Sequence, residues 1–346
     1  MDNLGFKSDV DGAVYQELAS FLPERIFDSH IHTGLPEHFS PMSPERQASK
    51  LGFFLDVAAV FGYNSYAVAQ DVRRMLFPAQ ETEGLFFGFP FRETNLKANN
   101  GYVERLIADD AVYGLYMPHP ESERHELEAA LDRGFVGFKP YPDLVLGKSF
   151  AEMRLADYMP DTLWQVAHDR GAILLIHLGR PGRLYDPLDI QDMSAACRRY
   201  PHARVIMAHI GRPYIPSMIA EGIPEPYKQL ENLWFDICPI CESGVLETAI
   251  REVGPGRLLF GTDSPVTYMH GRLGEWKGDR KFFSDMEFPW NVDREAPDRE
   301  SGYTFFLYEQ LLGLKRAAET VGLAHGDVQD ILYNNAKALV SNVGKV

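Results

Sequence analysis

The chain has 346 residues, 34 basic and 49 acidic, for a formal net charge of −15, with 45% hydrophobic and 24% charged residues. That is the profile of a globular enzyme long enough for one large barrel or two ordinary domains. The acidic balance argues against a nucleic-acid surface, which needs a basic footprint, but leaves room for a small anionic substrate held by a few local arginines. No apolar run approaches the ~18 residues of a membrane span, and residues 1–10 lack the basic-then-apolar order of a secretory signal. Cys197, Cys238 and Cys241 are too few for a disulfide framework and fit a reducing cytoplasm.

Residues 1–24 read as an N-terminal arm with a short helical pattern at 14–21. The apolar stretch Arg25-Ile26-Phe27-Asp28-Ser29-His30-Ile31-His32 then reads as a strand. Strand signals recur at 85–89, 112–117, 136–141, 172–178, 204–210, 233–237 and 258–262, making eight. Helix-period segments at 123–133, 161–170, 190–199 and 244–253 lie between them, several ending at Gly or Pro. Strand–helix alternation of this kind predicts βαβ units in a parallel sheet, and Ile173-Leu174-Leu175-Ile176 predicts burial on both faces. No glycine-rich phosphate loop follows the first strand, which disfavours a doubly wound sheet. The expected fold is therefore a single α/β domain, a (β/α)8 TIM barrel with strands over 25–264. It is followed by a long mouth loop over 265–301 and C-terminal helices over 302–346, the latter at 302–321 and 327–340. A second long stretch runs over 33–42, ahead of the first barrel helix.

Polar residues fall where a barrel would gather them. Strand one ends in His30 and His32, strand four in Lys139, strand five in His177, strand six in His209 and strand eight in Asp263. The C-terminal strand ends of a barrel converge on one face, and the i, i+2 spacing of His30 and His32 points both imidazoles the same way. Neutral imidazoles with a carboxylate form a zinc-type site with a position left for water, whose pKa the metal lowers to about 7. A single histidine is more often a hydrogen-bonded core residue than a ligand. Four histidines, an aspartate and a lysine closing separate strands in barrel order make that reading the weaker one.

Asp28-x-His30-x-His32, His177 in Ile-His-Leu-Gly, His209 in Ala-His-Ile-Gly, and Gly261-Thr262-Asp263-Ser264-Pro265 together resemble the amidohydrolase superfamily. More narrowly they resemble its branch of aminocarboxymuconate-semialdehyde and resorcylate decarboxylases and dicarboxylate lactonases, with Asn334-Asn335-Ala336 similar to that branch's last helix. The resemblance covers about 26–340. It implies that His30, His32, His177 and Asp263 bind one divalent metal, zinc before manganese. It implies too that His209 polarises the substrate or shuttles a proton, and that Lys139 is an unmodified cation rather than a carbamylated bridge between two metals. Asp28 is expected to brace the site.

Arg180 and Arg212 sit in nearly the same phrase twice, beside Arg183, and arginine forks suit carboxylate recognition. They are read as substrate-side groups with Lys139, Tyr141, Arg92 and His270. A structural pairing of the arginines with Asp or Glu is an equally good reading. Cys238-Pro239-Ile240-Cys241 has redox spacing but no second pair, and two buried free thiols fit better. Arg272 and Trp276 in the mouth loop and His119 after strand three are weaker candidates. The expected activity is hydrolysis of an amide, ester or lactone in a small carboxylate-bearing molecule. The alternative is decarboxylation of an unsaturated or aromatic acid, with Phe87, Phe89, Phe91 and Arg92 lining the pocket. A non-catalytic metal barrel, possible in principle, would need a closed coordination shell. A homodimer through the arm is also consistent with the sequence.

Overall fold

Eight parallel strands stand side by side in chain order, each paired with the next. They are β1 (Arg25–His32), β2 (Glu81–Phe87), β3 (Val112–Tyr116), β4 (Gly137–Phe138), β5 (Ile173–Ile176), β6 (Arg204–Met207), β7 (Leu233–Asp236) and β8 (Leu258–Leu259). The molecule is a computed structural model that describes residues 6–47 and 50–345, so the first five residues of the expected arm lie outside the described residues. The backbone closes the ring: Ser29 N donates to Phe260 O at 2.9 Å, Asp263 N to His30 O at 2.9 Å and His32 N to Ser264 O at 3.2 Å. Helices alternate with the strands, and the architecture is the expected (β/α)8 barrel.

Strand parity explains the packing. Phe27, Leu85, Leu115, Ile173, Leu175, Ile206 and Leu259 form one buried cluster inside the barrel. Ile26, Leu174, Ile176, Val205 and Met207 belong to the larger cluster shared with the helices. Both faces of β5 are therefore buried, as its continuous apolar run requires. At Gly137 a Cβ would lie 2.1 Å from Ile173 O, so only glycine lets β4 approach β5 this closely.

The floor comes from the C-terminal segment. Tyr333, Ala336, Leu339 and Val340 join the interior cluster from below. Glu83 accepts hydrogen bonds there from Arg25 Nη2 at 2.7 Å, from Tyr333 Oη at 2.6 Å and from Lys337 Nζ. The helix expected over 327–340 is in fact His325–Gln329, a π turn at Asp330–Asn334 and Asn335–Ser341. Strand β2 begins four residues before the expected start because Glu81-Thr82-Glu83 pairs with Arg25-Ile26-Phe27 at the polar floor.

The mouth loop is not irregular throughout. It holds an antiparallel hairpin, β9 (Gly271–Trp276) and β10 (Asp279–Ser284). Lys277 and Gly278 form the turn with φ of 53° and 83°, the doubly positive pattern that suits the twist of a two-residue hairpin.

His270, expected at the substrate, is instead a structural anchor. Its Nε2 lies 2.9 Å from Asp11 Oδ2 and its ring stacks 4.2 Å from Phe305. Asp11 opens the arm helix Asp11–Leu18 and also accepts from Lys7 N at 2.6 Å and Thr304 Oγ1 at 2.8 Å. The arm thus docks on its own barrel. Burial works to raise the Asp11 pKa, but the hydrogen bonds from His270, Lys7 and Thr304 outweigh it and hold the carboxyl low. A depressed folded pKa contributes stability above the ordinary carboxylate pKa that is lost as pH falls through the lowered value. Asp11→Ala is expected to cost about 1–3 kcal/mol at neutral pH. In thermal melts the gap from the parent should close as the pH falls through the ordinary carboxylate range and below it; a gap that persists unchanged into acid would remove this account.

Candidate metal centre

His30 and His32 project from the end of β1, and Asp263 follows β8 on the neighbouring strand. Their ligand atoms cluster within 4.8 Å of one another. His30 Nε2 is 3.5 Å and His32 Nε2 3.4 Å from Asp263 Oδ1. The opposite ring nitrogens are already engaged: His30 Nδ1 lies 2.9 Å from Asp236 Oδ2 and His32 Nδ1 2.9 Å from Gly88 O. With Nδ1–H donated to these acceptors, the Nε2 lone pairs face Asp263, the arrangement that orients imidazoles toward a cation. Asp263 itself holds φ 56°, a sparsely populated conformation for a residue with a side chain, as happens where backbone is spent on function.

Electrostatics favour the ligand forms. Burial holds the His30 and His177 pKa values well below the ordinary range, with Lys139 adding to the effect at His30 and Arg212 at His177. Burial also lowers that of His32, so all three imidazoles are neutral at pH 7. At Asp263 burial pushes the pKa up, but the neighbouring His32, His209 and His30 pull it down further, leaving it below the ordinary carboxylate value. The donor set of two neutral imidazoles and one buried carboxylate fits a divalent cation.

Asp28 braces the site from beneath. It accepts from Thr262 N at 2.9 Å, Thr262 Oγ1 at 2.7 Å and His30 N at 3.1 Å, tying β1 to the segment after β8. Its burial raises the carboxyl pKa to about 6.

Asp236 was not among the expected residues. It closes β7, is fully buried, and accepts from His209 N at 2.7 Å and Cys238 Sγ at 3.1 Å besides engaging His30. The signal was available: Leu233-Trp234-Phe235-Asp236 is one more apolar strand ending in a carboxylate. His209 lies just past β6 at φ 58°, with Nδ1 2.6 Å from Cys238 O. Its ring stacks 5.1 Å from that of His30 and meets His177 edge-on at 5.2 Å. His30, His209, Asp236 and Cys238 form a second group whose ligand atoms lie within 4.8 Å.

His177 follows β5 and packs 5.1 Å from the ring of Tyr141. Among the described residues it belongs to neither close group, so the structure gathers three of the four expected ligands and sets the fourth beside His209. Lys139 is buried with Nζ 4.9 Å from the Phe87 ring centroid. Burial lowers its pKa to about 8 against the pull of Asp236, Asp263 and Cys238. Phe87 meets His30 and His32 edge-on at 5.1 and 4.7 Å, Phe89 stacks on His32 at 5.2 Å, and Phe91 meets Tyr141 edge-on at 5.8 Å. These aromatics wall the centre and fix the ligand rings.

The arginines divide. Arg180 is committed to structure: Nε pairs with Asp186 at 2.8 Å and Nη1 donates to the Ala151 and Met153 carbonyls at 2.7 and 2.8 Å. Arg92 bonds to Asp143 at 3.3 Å. Arg212 donates from Nη2 to Arg180 O at 2.6 Å, but its buried Nε meets no acceptor among the described residues. His119 is half exposed beside Glu121, and Trp276 stands at the hairpin tip. All three cysteines are free and buried, so the Cys-x-x-Cys spacing carries no disulfide.

A closed eight-stranded barrel with buried histidines and an aspartate at its C-terminal mouth defines a metal-competent barrel enzyme. The chain belongs to the amidohydrolase family, whose model matches residues 28–341. It is 27% identical over 134 residues to L-fucono-1,5-lactonase of Burkholderia ambifaria, a match spanning 35% of this chain and 45% of that protein. The chain therefore aligns with less than half the length of this curated relative.

Among solved structures, its fold is similar to 5-carboxyvanillate decarboxylase from Sphingomonas paucimobilis, with TM-score 0.58, 10% identity, and coverage of 92% of this chain and 99% of that one. It is similar also to a probable 2-pyrone-4,6-dicarboxylic acid hydrolase from Acinetobacter baumannii, with TM-score 0.51, 14% identity and coverage of 91% and 99%. At these identities the likeness is one of fold. No helix among the described residues is long and apolar enough to cross a membrane.

Proposed function

We propose that the protein is a metal-dependent hydrolase that opens an amide, ester or lactone carbonyl of a small, carboxylate-bearing substrate. The observation that carries this reading is the convergence of His30 Nε2 and His32 Nε2 on Asp263 Oδ1 with both Nδ1 atoms tied elsewhere. His30, His32 and Asp263, with His177 as the nearby fourth donor, would hold one divalent ion, zinc before manganese for this nitrogen-rich set. When bound, such an ion supplies Lewis acidity, activating water at neutral pH and polarising a carbonyl. Asp263, kept ionised by its surroundings, takes the proton from the attacking water and returns it to the leaving group. His209, whose Nδ1–H is fixed on Cys238 O, would act on the oxygen where charge develops as an imidazolium, donating from Nε2. Lys139 stays an unmodified cation over Phe87 and adds positive potential. The similarity to a lactonase supports a cyclic ester as the first substrate class to try.

A second reading is decarboxylation of an aromatic or unsaturated acid, favoured by the aromatic wall of Phe89, Phe91 and Tyr141 beside His177. Elemental analysis of the purified protein, paired with a panel of lactones and aromatic acids, tests both. About one zinc or manganese per chain is expected, lost in His30→Ala, with proton release from a lactone and no carbon dioxide from the acids. Carbon dioxide without lactone opening would select the second reading. A folded protein that neither contains nor takes up metal would overturn both.

A further inference from the structure

The loops after β5 and β6 enclose a cleft of about 290 Å3 whose lining includes Arg183, Tyr185, Arg212, Met218 and Glu221. Arg183 sits at φ 55° and its Nη1 contacts Met218 Sδ at 2.8 Å. Arg212 contributes the buried Nε that meets no acceptor. A third arginine arrives from the hairpin: the Arg280 guanidinium of β10 lies 4.6 Å over the ring of Tyr214, itself 6.2 Å from His209. Arg183 and Arg212 line the same cleft, and Arg280 lies close enough for its charge to act on both. Burial lowers the Arg183 pKa first, and Arg280 and Arg212 lower it further.

What marks this cluster is that Asp189 and Asp279 act on it only from a distance and, among the described residues, no carboxylate touches its guanidinium groups. The chain carries fifteen more acidic than basic residues, and several part-buried arginines spend their donors on carboxylates or carbonyls: Arg46 holds Glu93 and Asp143, Arg180 holds Asp186, Arg294 holds Glu300, and Arg257 donates to the Leu233, Lys228 and Tyr227 carbonyls. Among the described residues, Arg183, Arg212 and Arg280 have no carboxylate within 4.0 Å, although Glu221 lines the same cleft. Like charges gathered in a partly desolvated cleft are unfavourable unless an anion completes them. Guanidinium forks match the oxygens of carboxylate and phosphate.

We propose that Arg183, Arg212 and Arg280 form an oxyanion subsite next to the metal centre, so that the substrate carries an acid group, carboxylate or phosphate, remote from its reacting carbonyl. The hairpin β9–β10 is then a specificity element that delivers Arg280. This rests on the metal-hydrolase reading only in taking the neighbouring centre as the place of reaction; anion binding itself does not require it.

The test is calorimetric titration of the full chain with glutarate, butyrate and inorganic phosphate, on the parent, Arg183→Met and Arg280→Met, with metal content and melting temperature measured on each. Glutarate or phosphate is expected to bind at least about tenfold more tightly than butyrate. Each substitution should erase that preference without changing metal content or melting temperature. Preference for glutarate alone assigns the remote group as a carboxylate, and for phosphate alone as a phosphoryl group. Equal affinity for all three, or a preference unmoved by both substitutions, overturns the subsite. If the anions bind through these arginines to a chain that holds no metal, the subsite stands and the hydrolase reading falls.

Discussion

Asp263→Asn is expected to leave the barrel folded and to lower kcat/KM on the substrate found by the screen by about a thousandfold or more. Asparagine keeps the shape of the side chain but cannot accept a proton, and only one of its terminal atoms can ligate. The buried carboxylate faces Nε2 of two histidines at 3.4–3.5 Å, so the substitution removes negative charge where a cation would be held and the base at the same time. The melting temperature should move little, because no helix or barrel strand depends on this side chain. A loss of less than about tenfold, with metal content at the parent level, would assign the base elsewhere, and His209 would be the next to test.

The second large effect is expected one layer further out. Asp236 stands behind His30, where it receives His30 Nδ1, the His209 backbone N–H and the Cys238 thiol. In Asp236→Asn one of the two oxygens becomes an N–H donor. If that donor faces His30, the imidazole must accept at Nδ1 and carry its proton on Nε2, the nitrogen needed for the metal. If it faces His209 N–H, two donors oppose each other in a buried place. Either outcome should weaken metal binding by about 10- to 100-fold. Competition against a chelator measures this directly, and parent-like affinity would show that Asp236 is only a packing group.

The sequence made the barrel legible because its strands are short apolar runs with a polar residue at one end, and that pattern survives without any long-range knowledge. The same rule located His30, His32, His177, His209 and Asp263. Asp236 obeys it too, closing β7 two residues before a Cys-Pro-Ile-Cys stretch whose spacing competes with it as a motif. Distant pairing was the part that could not be read. Nothing near His270 shows that its partner is Asp11, 259 residues away. The twin phrases around Arg180 and Arg212 look alike in one dimension, but Asp186 pairs with the first, while the second leaves its buried Nε without an acceptor among the described residues. Arg280 is hidden in the sequence because the lysine–glycine turn lies inside a long stretch without strand alternation, so nothing local announces its strand or the direction of its side chain.

The floor of the barrel has a consequence for how the molecule comes into being. Tyr333, Ala336, Leu339 and Val340 cover the lower end of an interior built from Phe27, Leu85, Leu115, Ile173, Leu175, Ile206 and Leu259. A nascent chain emerges from the ribosome N-terminus first, so all eight strands are outside before the residues that seal them. Until then the hydrophobic interior stays open to water at one end and Glu83 lacks Tyr333 and Lys337. The segment that touches no catalytic group is thus the one whose release from the ribosome allows the fold to complete.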